Sequence, residues 1–127
     1  MKTTVTKSFE MCCAHHLPNH AGKCQRPHGH NYRIEVSCDG LVKPADGHSS
    51  EGMVIDFDTI NAIFREEVFA KCDHQDLNEV LPEDYLPTTA ENFARFIADR
   101  LTGASLPVSK VRVYETPNSW AEVDLMH

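Results

Sequence analysis

Three histidines with strand-like spacing dominate the chemistry this chain could perform. His28-Gly29-His30 separates two imidazoles by one residue. On an extended strand, residues i and i+2 project from one face, so both rings can converge on one ion. Gly29 between them adds no side chain. A third imidazole is offered by His15 or His16, at the far end of a β-branched segment that an antiparallel neighbour would bring alongside. His15 is preferred because it continues the face set by Phe9, Met11 and Cys13. Three neutral imidazoles suit Zn²⁺ and leave a fourth tetrahedral position open, the arrangement of a catalytic zinc rather than a structural one. His20, His48 and His127 fall in loops or at the terminus and are assigned no role.

A thiol and an acid–imidazole pair stand beside this set. Cys24 lies four residues before His28, between Lys23 and Arg26. A free thiol is only about 3% thiolate at neutral pH, and cations or a divalent ion close to a thiol favour its thiolate form. It is either a base beside an open metal or a fourth ligand that closes the site, and the stiff Pro27 connection favours the base. Asp73-His74 supplies a carboxylate that can set the tautomer of an adjacent imidazole, as a general acid/base requires.

The elements that must position these groups read as ββααββ. Residues 2–11 form a first strand, and residues 30–38 alternate apolar and polar as a half-buried second strand. Met53-Val54-Ile55 reads as a short strand return. Phe57, Ile60, Phe64 and Val68 mark an amphipathic helix over 57–71 capped by Asp56. A second helix opens with Thr88 and Glu91 as a capping box and closes at Gly103 as a left-handed residue. Residues 108–115 and 119–125 form a final hairpin. The expectation is an α+β domain spanning 1–127, with a four-stranded antiparallel sheet and both helices on one face. A long Val-rich edge strand predicts pairing with another copy of the chain.

Composition narrows the partners. Twelve Lys+Arg against nineteen Asp+Glu give a net charge of −7 over 127 residues, which argues against nucleic acid or an anionic membrane. No apolar run is long enough for a transmembrane helix, and residues 1–7 lack the apolar stretch of a signal peptide. The expected address is cytoplasmic. Five cysteines, an odd number, then read as free thiols; apart from Cys24 they fit as small buried or half-exposed hydrophobes.

Five ordered motifs run through nearly the whole chain: His15-His16-Leu17-Pro18; Cys24-x-x-x-His28-Gly29-His30-Asn31-Tyr32; Asp73-His74-x-x-Leu77-Asn78; Pro87-Thr88-Thr89-Ala90-Glu91-Asn92; and Val113-Tyr114-Glu115-Thr116. Together they resemble the 6-pyruvoyltetrahydropterin synthase superfamily. Within it, the three-residue gap between Cys24 and His28 is most similar to the 6-carboxy-5,6,7,8-tetrahydropterin synthases of queuosine (7-deazapurine) biosynthesis. The resemblance implies a tunnelling fold (T-fold) in which three subunits close a β-barrel and two trimers stack as a homohexamer with interfacial sites. It implies conversion of 7,8-dihydroneopterin triphosphate to 6-carboxytetrahydropterin, acetaldehyde and triphosphate. It also implies Zn²⁺ on His15, His28 and His30, Cys24 as general base, Asp73 and His74 as proton relay, and Glu115 on the pterin's guanidine-like edge. Cys12-Cys13 and Cys72 depart from the small apolar and aliphatic residues usual at those positions.

Beyond the family assignment, Lys23 and Arg26 are candidate triphosphate contacts by charge and position. Thr89 and Thr116 are candidate pterin contacts; for Thr88 and Glu91, helix capping is a sufficient reading. The pyruvoyl enzymes, which eliminate triphosphate without cutting the carbon chain, are the alternative. Two other classes stay open at this point: a metal-independent cysteine hydrolase using Cys24, His74 and Asp73, and a non-catalytic zinc module with Cys24 as fourth ligand.

Overall fold

The computed structural model describes residues 1–125, so His127 lies outside the described residues. Strands β1 (Lys2–His15) and β2 (His28–Leu41) pair antiparallel at every one of their 14 positions, from Lys2↔Leu41 to His15↔His28. Strands β3 (Val108–Thr116) and β4 (Ser119–Asp124) complete a sheet of order β1-β2-β3-β4. Alternation divides its faces. Phe9, Met11, Tyr32, Ile34, Val111 and Val113 are buried under the helices. Thr4, Thr6, Glu35, Asp39, Lys110 and Glu122 line a concave polar face opposite.

Helix α1 (Phe57–Phe64) begins at Asp56, whose carboxylate accepts the Asp58 N–H at 2.8 Å. The chain continues through a π-turn, Arg65–Phe69, into the closing turn α2 (Ala70–Cys72). Ile60, Phe64, Val68 and Cys72 are all fully buried, a strict four-residue repeat. On a helix of 3.6 residues per turn such a repeat drifts around the axis; a looser turn bonded i→i+5 takes up the drift. All four side chains therefore face the sheet, and the Phe64 ring stacks on Phe9 with centroids 3.8 Å apart. A single-turn helix α3 (Leu77–Val80) follows, and α4 (Ala90–Gly103) lies across β3 and β4.

Several details differ from the pattern read in the sequence. Both hairpin strands run longer, so that the histidines are strand residues rather than loop residues. Residues 53–55 do not form a strand. The loop instead closes through Lys43, whose N–H donates to Met53 O at 3.0 Å and whose carbonyl accepts from Gly52 at 3.0 Å. There Val54 packs so close to Gly40 that a Cβ on that glycine would meet it at 2.9 Å. The cap of α4 is Thr89, whose hydroxyl accepts the Asn92 N–H at 3.1 Å. This puts Glu91 one position too early for a capping box, and Thr88 is fully buried with its hydroxyl directed elsewhere. Gly103 ends α4 in helical conformation, and the left-handed residue is Ser105 at φ 68°. The short helix α3 gave no periodic signal because four residues are too few to show one. The Val-rich strand β3 is interior; the long edge strand is β1.

That edge is used unevenly. Among the described residues, Lys2–Glu10 makes no backbone hydrogen bond outside the sheet, whereas the stretch from Cys12 onward is covered by residues 73–78. Among the described residues, no helix is long and apolar enough to cross a membrane. Because Thr89, not Thr88, caps α4, Thr89→Ala is expected to cost about 1 kcal/mol. Glu91→Ala is expected to stay within about 0.5 kcal/mol. Urea denaturation of the two variants checks the assignment.

Candidate active site

The β1–β2 register delivers the imidazoles. His15 stands directly opposite His28, and His30 lies two residues further along the same face of β2. One ligand nitrogen from each lies within 4.8 Å of the others. Nδ1 of His15 donates to the Thr88 carbonyl and Nδ1 of His28 to the Arg26 carbonyl, both at 2.7 Å. A carbonyl can only accept, so these bonds set the tautomer and leave Nε2 with a free lone pair. Among the described residues, Nε2 of His15 and Nε2 of His30 are buried without a hydrogen-bond partner. Orphaned buried nitrogens are expensive, and three convergent imidazoles are the donor set of a divalent transition metal. The residues fit a zinc ion. Tyr32, buried beneath them, packs its ring against His15 and His30 at 6.1 and 5.4 Å. His16 does not join the group. Its peptide is held by Asn78, while His15 is the one whose ring converges with His28 and His30.

Glu115, one residue short of the β3 terminus, places Oε2 3.8 Å from His30 Nε2. Burial pushes His30 below the ordinary histidine value and outweighs the upward pull of Glu115, with His15 and His28 also lowering it. A recess of about 510 Å³ joins His30 and Glu115 to Tyr114, Thr116, Arg33 and Asn31, within the usual range of about 300–1,000 Å³ for small-molecule pockets.

On the other side of Gly29 a second recess joins His30 to His74, Cys12 and Asp76. The Asp73-His74 pair leaves the end of α2 and is pinned along the outer edge of β1. The Cys12 N–H donates to Asp73 Oδ1 at 3.1 Å, His74 N–H donates to Cys12 O at 2.6 Å, and Ala14 N–H donates to Gln75 O at 3.0 Å. These bonds hold His74 at φ 59°, a left-handed conformation that costs a non-glycine residue about 1–3 kcal/mol. Asp73 Oδ2 accepts Nδ1–H of His74 at 2.8 Å, leaving Nε2 free to move a proton. Burial pulls the Asp73 carboxyl up, but the hydrogen bonds from His74 and Cys12 prevail and keep it below the usual value. It is ionised at neutral pH and fixes the imidazole's tautomer.

The remaining predicted residues lie apart. Cys24 is half-buried in a 3-10 turn, Lys23–Gln25, and its carbonyl accepts the Leu17 N–H at 2.8 Å. Its sulfur is not among the convergent ligand atoms, and it shares no hydrogen bond with His74 among the described residues. Lys23 and Arg26 are exposed on the same loop without an ion pair among the described residues. The Thr89 hydroxyl oxygen accepts the helix-cap bond, while its O–H can still donate, and the residue opens toward a groove with Leu17, Pro18 and Asn78. Cys13, Cys38 and Cys72 are buried, and burial raises Cys38 to about 11 and Cys72 to about 12, so neither forms a thiolate at neutral pH. Cys12 is exposed and donates to Asn31 Oδ1 at 3.0 Å.

A four-stranded antiparallel sheet carrying a three-imidazole centre between a carboxylate recess and an Asp–His pair defines an enzyme of the tetrahydropterin synthase class. The chain belongs to the 6-pyruvoyl tetrahydropterin synthase family, whose model matches residues 4–125. It is 33% identical to the 6-carboxy-5,6,7,8-tetrahydropterin synthase of Haemophilus influenzae, over 93% of this chain and 96% of that protein. It is 40% identical to a putative enzyme of the same name from Archaeoglobus fulgidus, over 91% and 90%. The human 6-pyruvoyl tetrahydrobiopterin synthase is 38% identical over 77% and 68%. Among solved structures, the Caenorhabditis elegans 6-pyruvoyl tetrahydropterin synthase superposes with a TM-score of 0.85 at 25% identity, covering 99% and 97%.

Two outcomes follow. Cys24→Ala is expected to keep the metal at wild-type stoichiometry while His28→Ala loses it, read by elemental analysis of the purified proteins. The metal-free protein is expected to lose stability as pH falls below about 6.5, because the unfolded chain takes up a proton that folded His30 refuses. His30→Gln should flatten that part of the pH–stability curve.

Proposed function

We propose that this chain is a zinc-dependent carbon–carbon lyase, a 6-carboxy-5,6,7,8-tetrahydropterin synthase acting on 7,8-dihydroneopterin triphosphate in queuosine (7-deazapurine) biosynthesis in the cytoplasm. The observation that carries the reading is the set of three inward-facing imidazoles beside Glu115, two of them already tautomer-fixed by backbone carbonyls. The short Cys24–His28 spacing supports the carboxy enzyme, as does the end-to-end match to relatives bearing that name.

His15, His28 and His30 would hold the zinc, which when bound supplies a Lewis acid for the oxygens of the substrate side chain. Glu115 accepts two parallel N–H bonds from the planar guanidine-like edge of the pterin and so orients the ring. Thr116 flanks the same recess, and Thr89 offers a further hydroxyl contact. Lys23 and Arg26 supply cations to the triphosphate from their exposed loop. Cys24 takes a proton from one face of the side chain as general base. His74 Nε2, held by Asp73, moves a proton on the other face. The side chain then loses triphosphate, and water adds to the carbonyl next to the ring as the following carbon–carbon bond breaks, so that the ring keeps a carboxylate and the two outer carbons leave as acetaldehyde. Closure of several copies into a barrel, as a trimer or a hexamer of two trimers, is supported by the unpaired length of β1, and would complete each site at an interface.

A second reading, the pyruvoyl enzyme, is favoured by the backbone match to the nematode structure. Purified zinc-loaded protein incubated with 7,8-dihydroneopterin triphosphate is expected to yield acetaldehyde and a 6-carboxypterin together. Triphosphate and a pyruvoyl product without acetaldehyde would establish the second reading instead, and turnover undiminished by a chelator would point to the cysteine hydrolase. Cys24→Ala is expected to lower kcat by at least about 100-fold, while Glu115→Gln acts mainly through KM.

A further inference from the structure

Asn78 was part of a motif in the sequence but was given no task there. In the structure its amide ties two separate segments together. Oδ1 accepts the His16 N–H at 2.9 Å, and Nδ2 donates to the His16 carbonyl at 2.9 Å. A peptide N–H can only donate and a carbonyl can only accept, so the orientation of the amide is set by its partners. The same Oδ1 accepts the Thr88 hydroxyl at 3.1 Å. Thr88, fully buried, is the residue whose carbonyl takes Nδ1–H of His15 at 2.7 Å. One side chain therefore grips the peptide next to His15 and also the residue that supplies its hydrogen-bond acceptor. His15 is the most enclosed of the three imidazoles at 1% exposed. It lies where the β1–β2 ladder ends, and without this tie nothing in the ladder holds its far side.

We propose that Asn78 and Thr88 are positioning residues for the His15 ligand: together they fix the tautomer and ring orientation of His15 and thereby set the affinity of the three-histidine centre for its metal. The inference rests on the zinc-centre reading above and adds to it residues that touch neither metal nor substrate. Groups that orient a metal-bound imidazole alter metal affinity by about 10- to 100-fold when removed. A residue that only supported the fold would change melting temperature without a selective effect on the metal.

The test measures zinc affinity by competition with a chromophoric chelator, alongside thermal melting of the metal-free proteins. Thr88→Val is nearly isosteric and removes the hydroxyl proton; Thr88→Ser restores it. Asn78→Ala removes the tie altogether. Thr88→Val and Asn78→Ala are expected to bind zinc about 10- to 100-fold more weakly, with Thr88→Ser within about threefold of wild type and an altered visible spectrum of the Co²⁺ form in the two weakened variants. Wild-type zinc affinity and an unchanged Co²⁺ spectrum in Thr88→Val would overturn the positioning role while leaving the metal centre intact. A wild-type protein that binds no zinc would overturn the metal centre itself, and this inference with it. Should Asn78→Ala fail to fold, the Val/Ser pair at position 88 decides the question alone.

Discussion

The register of one hairpin governs this molecule. Fourteen consecutive pairs between β1 and β2 leave no freedom in how the strands align, and the last pair is His15 against His28. Because side chains alternate with period two, a slip of one residue would expel Phe9, Met11 and Cys13 from the core and turn His15 to the opposite face. The energy that specifies the register is therefore apolar burial along the length of the hairpin, far from any chemistry. The imidazoles at its end inherit that alignment. The three imidazoles lie outside the apolar core cluster, and the core sets their positions to a fraction of a strand repeat.

The outer edge of β1 performs a second task. Successive outward-facing residues Cys12, Ala14 and His16 bind the segment that carries Asp73, His74 and Asn78. An irregular segment is thereby held as firmly as a strand, strong enough to keep His74 in a left-handed conformation. The imidazole cluster and the Asp73–His74 pair are thus built on opposite edges of one strand end. The side toward β2 carries the convergent imidazoles, and the outer side carries the hydrogen-bonded Asp73–His74 pair. The ladder of backbone bonds gives the positions of both without a dedicated scaffold.

Much of this was legible in the sequence where periodicity is strong. Phe57, Ile60, Phe64 and Val68 announced α1, the alternation around Tyr32, Ile34 and Val36 announced β2, and the His28-x-His30 spacing announced the convergence of two rings. What escaped reading was local competition between neighbours. Thr88 and Thr89 are adjacent hydroxyls of equal capping ability, and the sequence does not say that burial takes the first and leaves the cap to the second. Val54 is apolar like a strand residue, yet its fit against Gly40 makes it a plug instead. Asn78 lies in a single-turn helix too short to announce itself, and its importance depends on a partner ten residues away. Cys24, Lys23 and Arg26 stand out by their chemistry, yet they lie on a loop apart from the convergent ligand nitrogens.

The π-turn in the first helix has a consequence for how this chain can change in length. A loosened turn amounts to one extra residue stored inside a helix. Deleting one residue between 65 and 69 would leave an ordinary helix in which Ile60 and Cys72 stand about three full turns apart, so both would still face the core. Adding a further residue there would instead turn everything after it by about 100°, swinging Cys72 out of the core and carrying the Asp–His pair away from β1. The loop between Leu41 and Val54 has no such coupling. Of two surface-accessible stretches, one can absorb insertions freely, while the other holds, as a phase angle, the aim of residues several positions downstream.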